Sequence, residues 1–450
     1  MRHHRRVESR APQPSPSIAA TRRSGPRGGE SLFGRWPVAE HHILRLGLAL
    51  SASLLVAALI AFTLPGVPAG HWAGTHLALA GAALVAIGTF MPHFGVTLAG
   101  APPERPALRM ATIAALALGA VSVVAGVLAA VSPLIVAGAI GLWAGLGLVA
   151  LTTFRPLRQP LARRHPIVQL AYGAALAQVA LGIALPVLFF VGWEPALSAW
   201  NRLRPAHVWL NLFGFISLTI AATLVYLYPT VLGARIRAHA SLALMVGGMA
   251  GGPPIAVAGL VLPLPLLTVA GAMLTAVGGA GQLWYGWTVW RGRGRWTTDA
   301  AWHGLAIGHL TAGMAWFLFA AALAAVDVID GGLPADWGLG ALGMPLLGGW
   351  VIQVLVGAWT HLLPAVAARG HDVRAAQRTL LGRWPWARLV AWNGGVLLAW
   401  AGLSAGMLPV ALAGIAAFTA AALVSAGLVF AALMQRQRSA PTEHVPRSAA

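Results

Sequence analysis

Twelve apolar runs, each about the length a helix needs to cross a bilayer, dominate this chain. They cover residues 43–64, 76–98, 107–131, 133–154, 167–191, 205–232, 240–261, 264–290, 303–326, 339–367, 389–406 and 407–433. No carboxylate and no arginine stands in the middle of any of them. Only 9% of the 450 residues are charged and the mean hydropathy is +0.75, whereas a water-soluble domain carries about 25% charged residues. A soluble fold is excluded. The pattern predicts an all-α, polytopic membrane bundle of about twelve transmembrane helices, with a lipid bilayer as its main partner. Residues 39–434 form that domain. Residues 1–38 are expected to be a basic disordered tail, with eight arginines against two glutamates in the first 37 positions, and residues 435–450 a second polar tail.

The formal charge is +19 and every basic residue besides histidine is arginine. Arginine position speaks for a membrane rather than for nucleic acid. If the N-terminus is cytoplasmic, 28 of the 30 arginines fall in tails and inner connections, leaving only Arg202 and Arg204 outside. Glu194, Asp327, Asp330 and Asp336 fall on the outer side. Such a bias sets orientation, and it predicts a multi-pass protein of the cell membrane with both termini cytoplasmic. Three connections, at Ser132–Pro133, Pro263 and Gly406, are so short that each must close an antiparallel hairpin.

The chain has no cysteine. Disulfides, thiolate metal sites, Fe–S clusters and cysteine nucleophiles are therefore excluded. No phosphate loop, nucleophile elbow or HExxH motif is present, so hydrolase and ATPase chemistry has no support. What the runs keep at depth is histidine. His76 and His207 begin the second and sixth runs near the outer boundary. His93, His309 and His361 lie toward the inner side. Histidine within a span is costly unless it is paired, and imidazole is a common ligand of haem iron and copper. The alternative is structural: a transmembrane histidine can hydrogen-bond its neighbours, and Asn211 stands one turn from His207. On the metal reading His76 and His207 make an outer cofactor-binding pair. His93, His309 and His361 make an inner metal cluster, to which Met91 could add a thioether.

Other features admit two readings each. Gly247–Pro254, with its double proline, is a broken helix lining a solute path or a kinked helix in close contact with a neighbour; close contact is the simpler. Tyr226 and Tyr228 are either redox or proton-relay residues or, like most of the nineteen tryptophans, members of an interfacial aromatic belt, which is the simpler reading. A faint repeat relates His76 to His207 at an offset of 131 and Tyr226-Leu-Tyr-Pro229 to His361-Leu-Leu-Pro364 at an offset of 135. It lays out three arcs of four helices, though composition alone could supply the shared Leu, Gly and Pro.

Twelve helices in three arcs, with histidines on the second, sixth and tenth, resemble the catalytic subunit of haem-copper oxidases. The segment His207-Val-Trp-Leu-Asn-Leu-Phe-Gly-Phe through Tyr228-Pro229 is similar to the histidine-led helices of the nitric-oxide-reductase branch. It also resembles nitric-oxide-response membrane proteins and the membrane region of actinobacterial copper-oxidase-like proteins. The resemblance implies haem b or copper as cofactor. It gives His76 the role of a haem ligand and His207 that of a copper ligand, with electron transfer or copper and nitrogen-oxide handling as the activity. A cupredoxin or other electron-transfer protein would be the partner. The family also has a histidine pair on the seventh helix and two outer histidines on the tenth. Here those places hold Gly251-Gly-Pro-Pro254 and only His361, so the family's complete binuclear centre is not expected. A solute transporter working through the seventh helix, or a non-catalytic scaffold for a cupredoxin, are the alternatives.

Overall fold

The computed structural model describes residues 38–63, 69–99, 101–157, 166–236, 239–294, 302–330, 340, 342–366 and 370–435. The expected N-terminal tail and the C-terminal tail beyond Gln435 lie outside them. Twelve long helices follow one another, and no strand occurs among the described residues. They are α1 (Val38–Thr63), α2 (consecutive segments Gly70–His76, Leu77–Ala83 and Leu84–Ala99), α3 (Pro106–Leu128), α4 (Ser132–Leu157), α5 (Pro166–Phe190) and α6 (Trp200–Leu232). Then come α7 (Ala240–Val261), α8 (Pro265–Arg291), α9 (Trp302–Asp330), α10 (Met344–Val366), α11 (Pro385–Ser404) and α12 (Leu408–Leu433). A short helix, Glu194–Ser198, precedes α6, and an amphipathic one, His371–Leu381, precedes α11. Eleven of the twelve are long and apolar enough to cross a membrane. The remaining one, α11, begins beside Arg388, which is buried and donates to the carbonyls of Leu381 and Arg383 and to Ser425 Oγ.

The three predicted hairpins are present as α3–α4, α7–α8 and α11–α12, the last turning at Gly406 with φ +68°. Lipid tails give helices no hydrophobic reason to associate, so close packing of small residues has to hold them together. At Gly248 a Cβ would lie 2.5 Å from the backbone of Gly278. At Gly252 it would lie 2.3 Å from Thr275 Oγ1, and at Gly414 it would lie 2.2 Å from the Ala399 nitrogen. The Gly247–Pro254 segment is thus a packing surface. Helix α7 runs unbroken from Ala240 to Val261, which removes the broken helix on which a transport path was to rest.

Three helices stand inside the others. In the most apolar stretch of each span, 72%, 78% and 83% is buried for α2, α6 and α10, against 28–50% for the other eight evaluated. These three alone, among the described residues, contain π-helical turns: Leu77–Ala83, Trp209–Ile216 and Met344–Ile352. A π turn bonds i→i+5 instead of i→i+4 and so re-aims the side chains that follow. The turns recur at nearly the offsets of the sequence repeat, which supports its reading as three arcs. Those of α6 and α10 are braced against each other. Trp350 Nε1 donates to Ser217 Oγ at 2.9 Å, and Ser217 Oγ donates to Leu212 O at 2.7 Å.

Tyr226 and Tyr228 do not belong to a belt at the lipid surface. They are 7% and 1% exposed, and the Tyr228 hydroxyl is bonded to Thr311 Oγ1 at 2.8 Å. Trp209, Trp302, Trp350, Trp359 and Trp392 are likewise core residues, while Trp193, Trp284, Trp287, Trp384 and Trp386 are exposed and fit the belt.

Candidate metal centre

The π turns of α2 and α6 begin just after His76 and His207, at the arginine-poor end of the bundle. Both rings are half-buried. Their centroids are 6.4 Å apart and their planes differ by only 16°. His76 lies on Trp72, with ring centroids 4.0 Å apart. Its Nδ1 is 2.9 Å from Trp72 O, and Nδ1 of His207 is 2.8 Å from Gly182 O. A carbonyl can only accept, so the Trp72 contact places the hydrogen on Nδ1 of His76 and leaves its Nε2 lone pair for another partner; the Gly182 contact does the same for His207 in one of its two neutral tautomers. Asn211 completes the surroundings of His207, donating to His207 O at 2.7 Å with its Nδ2 3.0 Å from Nδ1. His71 is exposed, with its ring 6.3 Å from that of Phe62.

The inner histidines are not brought together. His93 faces Glu40 and Arg109: Glu40 Oε1 lies 3.6 Å from His93 Nδ1 and 3.5 Å from Arg109 Nη2, and all three residues are at most 3% exposed. Arg109 also donates to Thr89 O at 2.6 Å. Met91, two positions before His93, lines a different space, because residues two apart on a helix point away from each other; the two do not form one ligand set. His361 packs instead against Trp302, at 5.4 Å, and His303, at 6.1 Å. His309 is fully buried, edge-on to Trp392 at 5.0 Å, and neither of its ring nitrogens has a hydrogen-bond partner among the described residues. Among those residues no three His, Asp or Glu side chains converge as a metal site.

The Glu40–His93–Arg109 group and the His303–His361 pair were not foreseen. Glu40 sits three residues before the first apolar run and Arg109 just inside the third. Both look like boundary residues until the helices are assembled. Near the level of His93 and His361, α2, α6 and α10 border a partly open apolar pocket of about 80 Å³.

The sequence matches no protein-family model and no curated protein. Its structure is similar to a solved one, the cryo-EM structure of a heme-copper terminal oxidase dimer. The TM-score is 0.64 over 89% of this chain and 85% of that one, at 12% sequence identity. An identity so low speaks for the fold alone. On that likeness, this membrane protein has the fold of a haem-copper oxidase.

Proposed function

We propose that the protein holds one metal atom between His76 and His207, either a copper ion or the iron of haem b, and works in electron transfer or in copper and nitrogen-oxide handling. The spacing of the two rings carries the reading. An imidazole nitrogen sits about 2.0–2.1 Å from a bound metal and about 1.1 Å from its own ring centre, so two rings in line across one atom have centroids roughly 6.3 Å apart. A tetrahedral angle would bring them to about 5 Å. The observed 6.4 Å is close to the spacing that two opposed ligands would have. The Nδ1 contacts with Trp72 and Gly182 add the outer support that orients ligating histidines. A copper or haem centre supplies a one-electron couple. Rings only partly buried, at the arginine-poor end, suit exchange with a cupredoxin or another electron-transfer protein on the outer face of the cell membrane.

The test is metal analysis and visible absorption of the full chain, purified after expression with both haem and copper supplied. A Soret band identifies haem, and one copper per chain without that band identifies the ion. His76→Ala and His207→Ala should each abolish the signal while the helical content stays unchanged. Wild-type protein that carries neither cofactor, or a cofactor retained in both variants, overturns the proposal.

A further inference from the structure

We propose that His303 and His361 hold a copper(I) ion at the arginine-rich end of the bundle, as a site separate from the outer pair. His303 is the second residue of α9, and His361 stands in the last turns of α10. They are 6% and 9% exposed. Their ring centroids are 6.1 Å apart. A direct hydrogen bond, with nitrogens about 2.9 Å apart and each about 1.1 Å from its ring centre, would draw the centroids to roughly 5.1 Å. An atom bound in line, about 2.0–2.1 Å from each nitrogen, would set them roughly 6.3 Å apart. The observed spacing fits a shared atom better than a hydrogen-bonded pair. Nδ1 of His361 is buried and has no hydrogen-bond partner among the described residues. Leaving such a nitrogen bare is costly, and a bound ion would satisfy it.

Trp302 holds the two rings in place. Its ring is stacked on His361 at 5.4 Å, with planes 16° apart, and lies edge-on to His303 at 4.1 Å. Its indole N–H donates to Thr360 O at 2.6 Å. A bond between the chain neighbours of the two histidines thus keeps the imidazoles in register. Charge and ligand number select the ion. Arg378 lies 4.6 Å over the Trp302 ring and adds positive charge beside His361. Among the described residues no carboxylate or third histidine joins the pair. Zinc needs three or four protein ligands, and a divalent ion would face that guanidinium without an anion to balance it. Copper(I) carries a single charge, is bound by imidazole and accepts two ligands in line.

No residue is shared with the His76–His207 pair, so this site stands or falls whatever the outer pair holds. The test uses the full chain carrying His76→Ala and His207→Ala, kept reduced and titrated with copper(I) against a chromogenic chelator. That variant should bind one copper per chain, and X-ray absorption should find two nitrogens at about 2.0 Å from it. Adding His361→Leu should remove the copper. His361→Met, which offers a thioether in place of the imidazole, should retain it. Where the outer double variant misfolds, wild-type protein is compared with His361→Leu alone, and the single variant should hold one copper fewer. A folded outer double variant that binds no copper, copper content indifferent to His361→Leu, or an ion with three or more ligands would overturn the proposal.

Discussion

Replacing Asn211 by leucine is expected to tighten metal binding at His207 rather than weaken it. His207 Nδ1 has two neighbours with opposite demands. Gly182 O, at 2.8 Å, accepts a hydrogen from it, whereas Asn211 Nδ2, at 3.0 Å, offers it one. The ring therefore has two neutral tautomers. The one bonded to Gly182 leaves Nε2 bare for a metal; the one bonded to Asn211 puts a hydrogen on Nε2 and blocks it. A neutral hydrogen bond is worth about 0.5–1.5 kcal/mol net, so removing the amide withdraws that much from the blocked form. At 1.4 kcal/mol per decade, affinity should rise by about twofold to tenfold, the upper figure applying where the blocked form predominates. Leucine keeps the branching of asparagine at a place where the Asn211 amide lies 2.4 Å from where a Gly182 Cβ would stand. Competition against a chromogenic copper(I) chelator measures the change in the full chain, with circular dichroism as the control for folding. An unchanged or weaker affinity in folded protein would refute the reasoning and make Asn211 a residue that orients the ring.

Three further outcomes follow from packing and charge. Gly248→Ala should destabilise the chain by about 1–3 kcal/mol, since the new methyl meets the backbone of Gly278; its neighbour Gly247 faces open space, and Gly247→Ala should leave the melting temperature unchanged or raise it. Ser217→Ala should cost about 1–3 kcal/mol by stranding the Trp350 indole N–H, read as loss of reversible unfolding free energy in mixed micelles. Arg109→Met alone should cost about 3–5 kcal/mol because it leaves Glu40 buried without its cation, and much of that loss should return in the Arg109→Met/Glu40→Gln double variant. Additive losses in that cycle would show that the two groups do not act as a pair.

The course of the chain through the bundle was legible because its signal is one-dimensional. Run length gives the spans, and connections of two or three residues force hairpins. The site was legible only in part. A soluble helix shows its inner face by polarity, but a span is apolar toward lipid and toward protein alike. Nothing in Trp209 or Tyr228 therefore distinguishes core from belt before assembly. The π turns escaped for a related reason. Leu77–Ala83 and Met344–Ile352 have the composition of an ordinary span, so nothing in their residues marks the widened bonding. The inner histidines share a depth along the membrane normal, which the sequence shows. They do not share a crevice, and that depends on helix rotation, which it does not.

The arrangement of the three inner helices also limits what the outer site can be. By the repeat offsets of 131 and 135, the places equivalent to His76 of α2 are His207 in α6 and Leu342 ahead of α10. The α10 turn forms all the same. A π turn therefore forms in this fold without a histidine ahead of it, in α10, where Trp350 is bonded to Ser217 of α6. Histidine is an addition to that scaffold, and only two of the three equivalent places carry one. A buried leucine in the third place offers no ligand atom, so an atom held between His76 and His207, as proposed, would receive two imidazoles and no third from α10. Two nitrogens held in that proposed arrangement would suit an atom that accepts linear coordination, or one whose remaining positions are already filled by its own macrocycle. A tetrahedral structural ion, which needs four protein ligands, has no basis in this geometry.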